Sequence, residues 1–228
     1  MKIFLDTADV TDISNRFSTG LIDGVTTNPT LIYKSGRSPE NVYQQLIDLG
    51  LSDISMEVVG QTKGTLISQG LALLDRFGEC ATIKVPCTVE GLKACQELSS
   101  NHGARVNVTL IFSAAQAILA AKAGATYVSP FVGRLNDNSM CGISLIKEIN
   151  AVYKAQEVRS THILSASIRN VRDVIQSYHY GADIVTMPPK VFDEMYGHVL
   201  TDVGVGIFEK HWQDIPDLAP CDLDPVQF

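Results

Sequence analysis

Eight times along the 228-residue chain, a short run rich in valine and isoleucine gives way to a longer amphipathic stretch. The runs lie at about Lys2–Asp6, Gly24–Thr27, Ile54–Val59, Ala81–Val85, Val106–Ile111, Tyr127–Phe131, His162–Ser167 and Asp183–Met187. Most are apolar on both faces, the pattern of parallel strands buried between two layers. Helical periodicity is clearest over Gly64–Phe77 and Ser113–Ala123. Gly78, Gly103, Gly124 and Gly181 follow periodic segments, as glycine does just past a helix C-terminus. Thr88 and Ser113 are candidate N-caps, with Gly91 weakening the first turn after Thr88. Eight such units predict an α/β fold, a single (β/α)8 TIM barrel. The rival is an open doubly wound sheet. Its nucleotide-binding forms carry a glycine-rich phosphate loop after a strand. Gly204-Val205-Gly206 is no such loop, because it follows no predicted strand and lacks the third glycine.

No linker interrupts residues 1–212, which are therefore expected to form one catalytic barrel domain with an extra C-terminal helix. Beyond Trp212 the composition changes to Pro216, Pro220 and Pro225 with Asp214, Asp217, Asp222 and Asp224. That predicts an irregular tail over residues 213–228, either a disordered end or a segment packed on a neighbouring subunit. A hydrophobic fraction of 45% supports a thick core, and a charged fraction of 19% leaves surface for self-association. The net charge of -7 and the lack of a basic run argue against a nucleic-acid partner. No apolar stretch reaches the length of a membrane span, and the first residues do not read as a secretion signal. Five cysteines without a C-x-x-C pair fit a reducing cytoplasm. The five histidines show no ligand spacing, so no metal is expected.

Active sites of this fold lie at the C-terminal ends of the strands. The polar residues in or just after the predicted strands are Asp6, Thr26, Asn28, Glu57, Lys84, Asn107, Thr109, Ser129, Arg134, Ser167 and Arg169. Most interrupt apolar runs, where an unpaired polar side chain is costly. Lys84 stands inside Ala81-Thr82-Ile83-Lys84-Val85-Pro86. Desolvation in a barrel interior favours a neutral amine, and a neutral amine can attack a ketone to form an imine. A lysine that reaches to the surface, or that merely pairs with a carboxylate, is the alternative. Asp6 and Glu57 could divide general acid and base work, or either could be the structural partner of Lys84. Thr109 could hold a water beside Glu57. Arg134 and Arg169 follow the sixth and seventh strands, where phosphate sites of this fold are often built, and Ser167 could donate alongside them. Asn107-Val108-Thr109 also matches a glycosylation sequon, but in a predicted buried strand the match reads as chance.

These residues sit in longer motifs: Leu5-Asp6-Thr7-Ala8, Gly24-Val25-Thr26-Thr27-Asn28-Pro29-Thr30 and Ile83-Lys84-Val85-Pro86-x-Thr88-x-Glu90-Gly91-Leu92. Asn107-Val108-Thr109-Leu110-Ile111-Phe112-Ser113, Ser129-Pro130-Phe131-Val132-Gly133-Arg134 and Ala166-Ser167-Ile168-Arg169 follow in order. Residues 1 to about 212 thus resemble the transaldolase family, in its small bacterial-type branch that also contains fructose-6-phosphate aldolases. The resemblance implies a Schiff base on Lys84, a proton taken by Asp6, and a water positioned by Glu57 and Thr109. It implies that Asn28, Asn107 and Ser129 bind the hydroxyls of a dihydroxyacetone unit, with Thr26 supporting Asp6. It also implies that Arg134, Ser167 and Arg169 hold a sugar phosphate. No cofactor is implied, because the protonated imine is itself the electron sink. The implied reaction belongs to the non-oxidative pentose phosphate route, and the implied assembly is a homo-oligomer, a pentamer or decamer. Aldolase members carry glutamine in place of Glu57 and tyrosine in place of Phe131, so these two residues favour transfer of the three-carbon unit over its release. The alternatives are a fructose-6-phosphate aldolase and a non-catalytic sugar-phosphate-binding barrel.

Overall fold

The structure, a computed structural model, describes residues 1–215. Eight parallel strands close on themselves in sequence order: β1 Lys2–Asp6, β2 Gly24–Thr26, β3 Ile54–Glu57, β4 Ala81–Pro86, β5 Arg105–Ile111, β6 Tyr127–Pro130, β7 His162–Ser165 and β8 Ile184–Met187. Between them run α1 Val10–Phe17, α2 Pro29–Ser35, α3 Pro39–Asp48, α4 Lys63–Phe77, α5 Val89–His102 and α6 Ala114–Lys122. Then come α7 Val132–Asp137, α8 Gly142–Ala155, α9 Val171–His179, α10 Pro189–Glu194 and α11 Val199–Gln213. The expected TIM barrel is thus the observed fold.

Local chemistry explains the helix ends. Thr88 accepts a hydrogen bond from the Gly91 amide and Ser113 from the Gln116 amide, so both N-cap α5 and α6. Gly78, Gly103, Gly124 and Gly181 all have positive φ where a helix hands over to the next strand. Gly91 weakens its helix but is needed there. A Cβ at this position would lie 2.0 Å from the Pro86 carbonyl oxygen.

Side-chain alternation sorts each strand into an outer and an inner set. Outward residues such as Val25, Ile54, Ile83, Val85, Val106, Val108 and Val185 join the helices in the main core. Inward, Phe4, Tyr127, Leu164, Ala166 and Ile184 form a separate apolar plug. The Phe4 ring fills the space over Gly24, where a Cβ would come within 2.8 Å of it. Beside this plug lies a buried polar knot. Asp53 accepts from Thr82 at 2.8 Å and Tyr127 at 2.7 Å, and pairs with Arg105 at 2.9 Å. Arg105 also donates to the Ser52 and Glu79 carbonyls. Burial and the neighbouring Asp53 carboxylate push the Tyr127 phenol up, so it stays a donor.

The chain separates into two compact units, Met1–Phe192 and the remainder from Asp193. The first holds all eight strands. In the second, α11 is N-capped by His198, whose ring accepts from the Leu200 amide, and none of its residues is buried. Of the expected tail at 213–228, everything after Ile215 lies outside the described residues.

The knot beneath the barrel predicts a large effect for one substitution. Asp53→Ala strands Arg105 and two hydroxyls and should destabilise by about 3 kcal/mol. That is roughly 10 °C in the melting temperature of a chain this size, readable by calorimetry. A loss below about 1 kcal/mol would show that the knot does little for stability.

Candidate active site

Strand register brings distant residues side by side. Glu57 of β3 is the partner of Lys84 on β4, and Lys84 is the partner of Asn107 on β5. Asp6 of β1 is likewise the partner of Thr26 on β2. Register partners on parallel strands face the same side, so these chains all meet inside the barrel.

The result is a cavity of about 340 Å³ at the C-terminal ends of the strands. Its walls include Asp6, Thr26, Asn28, Glu57, Lys84 and Thr109, together with Ser129, Phe131, Arg134, Ser167 and Arg169. Every residue singled out in the sequence borders it except Asn107, which is fully buried beside Ser129. There its Oδ1 accepts from Ser129 Oγ at 2.7 Å and its amide donates to Ser55 Oγ at 3.1 Å.

Lys84 is only 5% exposed. Its Nζ sits 2.9 Å from Glu57 Oε2 and donates to the Thr27 carbonyl at 3.0 Å. Lys84 is thus paired with a carboxylate, and the pair lines the cavity. Asp6 accepts from Thr26 Oγ1 at 2.9 Å. Its burial pushes the carboxyl above the usual carboxylate range, against the pull of the Lys84 ammonium and the Thr26 hydrogen bond. Thr109 Oγ1 is buried with no hydrogen-bond partner. The residue Thr109 borders the cavity.

Charge of the opposite sign rims the mouth. The Arg134 guanidinium lies over the Phe131 ring, 5.1 Å from its centroid. Phe131 is also held edge-on by Phe112 at 5.7 Å. Arg169 pairs with Asp137 at 2.9 Å, both about half exposed. A Cβ at Gly133 would fall 1.9 Å from the Ser167 carbonyl oxygen and 2.9 Å from Cγ of Arg169, so only glycine fits under this rim. Ser167 itself has φ 59°, as does Leu110 within β5. Non-glycine residues rarely hold that conformation, and strain of roughly 1–3 kcal/mol of this kind gathers at functional sites.

The wall also contains residues that the sequence reading passed over. Thr30 and Leu31 start α2, Leu110 follows the register shift in β5, and Thr186 stands in β8. The Leu110 position depends on that irregularity and has no sequence signal. Thr186 does have one: it interrupts the apolar run Ile184-Val185-Thr186-Met187 just as Thr26 interrupts β2. Asn28 also caps α2, its Oδ1 accepting from the Leu31 amide. Among the described residues, no three His, Cys, Asp or Glu side chains gather as a metal site.

Comparison with known proteins bears on the family and the fold. Residues 3–219 match the family described as Transaldolase/Fructose-6-phosphate aldolase. A protein of Paracoccus denitrificans named a probable transaldolase is 48% identical over 212 residues, covering 93% of this chain and 96% of that one. Another so named, from Aquifex aeolicus, is 46% identical over 95% of this chain and 99% of its own. Among solved structures, a thiamine phosphate pyrophosphorylase from Pyrococcus furiosus superposes with TM-score 0.55 over 82% of this chain and 85% of that one. A flavocytochrome B2 mutant does so with TM-score 0.60 over 82% and 56%. Both are 13% identical and share the barrel alone. On the strength of the sequence matches, this chain belongs to the transaldolase/fructose-6-phosphate aldolase family.

Proposed function

We propose that the protein is a transaldolase that moves a dihydroxyacetone unit from a ketose phosphate to an aldose phosphate. The donor would be sedoheptulose 7-phosphate or fructose 6-phosphate, and the acceptor glyceraldehyde 3-phosphate or erythrose 4-phosphate, as in the non-oxidative pentose phosphate route. The observation that carries this reading is the buried Lys84 amine, 2.9 Å from a carboxylate and enclosed in a cavity with two arginines at its mouth. The naming of the relatives as probable transaldolases supports it.

The chemistry follows from the positions. Glu57 takes a proton from the Lys84 ammonium, and the neutral amine attacks the ketone carbon. Glu57, with a water held by Thr109, passes the protons needed for the carbinolamine to lose water and become an iminium. Asp6 then takes the proton of the hydroxyl on the far carbon of the bond that breaks, which becomes the carbonyl of the departing aldehyde. The electrons of that carbon–carbon bond flow into the iminium, giving an enamine, and the aldehyde product leaves. An acceptor aldehyde reverses these steps: the enamine carbon attacks it, and Asp6 returns its proton to the new hydroxyl. Hydrolysis frees Lys84. Asn28 and Ser129 bind hydroxyls of the three-carbon unit, and Asn107 keeps one N–H beyond its bond to Ser55. Arg134, Arg169 and Ser167 hold the phosphate, the arginines by charge and paired donors.

Between attack and hydrolysis, the enamine must not be protonated. Phe131 has no acidic proton, and its ring is fixed by Phe112 and Arg134. That favours transfer over the aldolase outcome. We extend the proposal to a homo-oligomer in the cytoplasm. The helix α11 carries exposed Leu200, Phe208 and Trp212, apolar surface suited to a second copy, and the described cysteines are free thiols.

Acceptor dependence tests the function. With fructose 6-phosphate and erythrose 4-phosphate, sedoheptulose 7-phosphate should form, and omitting the acceptor should leave almost no free dihydroxyacetone. Free dihydroxyacetone at a comparable rate would establish the aldolase instead. Bound sugar phosphate with neither product would mark a non-catalytic barrel. Arg169→Ala should raise KM for the donor roughly tenfold to a hundredfold, with a smaller change in kcat. An unchanged KM would remove Arg169 from the phosphate site.

Asp6→Asn separates stability from activity. Because burial raises the Asp6 carboxyl, wild-type stability from this group is full below the ordinary carboxyl value, about 3.9, and is lost as pH rises through the raised value. The variant should therefore melt at a higher temperature than the wild type near neutral pH, converge with it in acid, and lose roughly 10²-fold or more in kcat. A variant less stable at pH 7 would contradict the assigned cost of the charge.

A further inference from the structure

We infer that Thr186 is a positioning residue: its hydroxyl fixes the single proton of Thr26 on one oxygen of Asp6 and leaves the other oxygen to receive the substrate proton. The inference rests on the role proposed above for Asp6. It comes from a chain of three side chains on three adjacent strands. Thr186 Oγ1 of β8 is 2.7 Å from Thr26 Oγ1 of β2, which is 2.9 Å from Asp6 Oδ1 of β1. Both threonines are 2% exposed, and both border the cavity.

A threonine hydroxyl has one proton to give and two lone pairs to offer. Thr26 therefore cannot donate to Asp6 and to Thr186 at once. If Thr26 donates to Asp6, Thr186 must be the donor to Thr26, and the chain reads Thr186 to Thr26 to Asp6. Hydrogen bonds in series polarise one another, so the second hydroxyl strengthens the bond that the carboxylate receives. Oδ1 is then engaged as an acceptor, and proton uptake falls to Oδ2. The reverse order would point the Thr26 proton away from Asp6 and favour a protonated acid, the wrong state for a base.

Other charges act on the same carboxyl. Lys84 on β4 and Arg169 after β7 favour its ionised form, and Glu57 on β3 opposes it. None of these touches Thr186 in the hydrogen-bond chain, so the threonine can be tested with them in place. The Schiff-base step uses Lys84 and Glu57, whereas bond cleavage uses Asp6. A residue that acts through Thr26 on Asp6 should affect only the second.

The test compares Thr186→Val, which keeps the shape and removes the hydroxyl, with Thr186→Ser, which keeps the hydroxyl. For Thr186→Val, kcat should fall about tenfold, a part of the roughly 10²–10⁴ that proton transfer supplies. Donor KM and the rate of borohydride trapping of the imine should stay at wild-type values, and the acid limb of the kcat profile should move to higher pH. Thr186→Ser should restore kcat. In a Thr26→Val background, adding Thr186→Val should change nothing further. Equal loss of trapping and turnover, no rescue by serine, an acid limb that stays or moves down, or additive losses would each overturn the inference. If Thr186→Val does not fold, Thr186→Ala is read against serine by the same criteria. A wild type that traps no imine would overturn the functional reading itself, and this inference with it.

Discussion

An ammonium and a carboxylate held 2.9 Å apart inside a barrel are expensive to bury. Two desolvated charges recover the hydration they lose only when their geometry is good and their remaining donors and acceptors are met. Here the Thr27 carbonyl takes a second Lys84 proton, and register across β3 and β4 fixes the approach of Glu57. A well-packed apolar pair would serve stability as well or better. In the proposed mechanism the pair has a use: Glu57 stands where it can accept the proton that Lys84 would lose before attacking a ketone. Much of the interior is arranged around that need. The apolar plug of Phe4, Tyr127, Leu164, Ala166 and Ile184 fills one part of the barrel. The polar row from Ser55 through Asn107 to Ser129 connects its own donors and acceptors beside the ion pair.

Much of this was legible in the sequence, for identifiable reasons. Buried parallel strands announce themselves as short Val/Ile runs, so all eight appear within a residue or two of their expected ends. Glycines past the helices do take positive φ, and Thr88 and Ser113 cap as expected. A polar residue within an apolar run is also visible, and this is how Asp6, Glu57 and Lys84 stood out. Other features depend on contacts that no local pattern encodes. The Asp53 knot joins residues from four strands or strand ends, and its members look ordinary one at a time. The left-handed Leu110 follows from a register shift between β5 and β6. Asn107 reads like its neighbours in sequence but sits behind Ser129 rather than on the cavity wall.

The same barrel carries unrelated chemistry elsewhere, as the 13% identity to the pyrophosphorylase structure illustrates. What sets this chain apart is a small number of side chains at the strand ends and the backbone that admits them. Gly133 gives room to the Ser167 carbonyl and the stem of Arg169, and the strained Ser167 turns the chain at the mouth. Phe131 closes the wall without offering a proton. In the proposed mechanism, Phe131 adds no acid beside the enamine, and imine formation starts with the base beside Lys84.

The most direct measurement is to identify the lysine that bonds to substrate. The enzyme would be reduced with borohydride in the presence of fructose 6-phosphate, digested, and its peptides weighed. The account predicts one modified residue, Lys84, carrying a reduced adduct of the substrate. An adduct on another lysine, or none under conditions where the enzyme turns over, would contradict it.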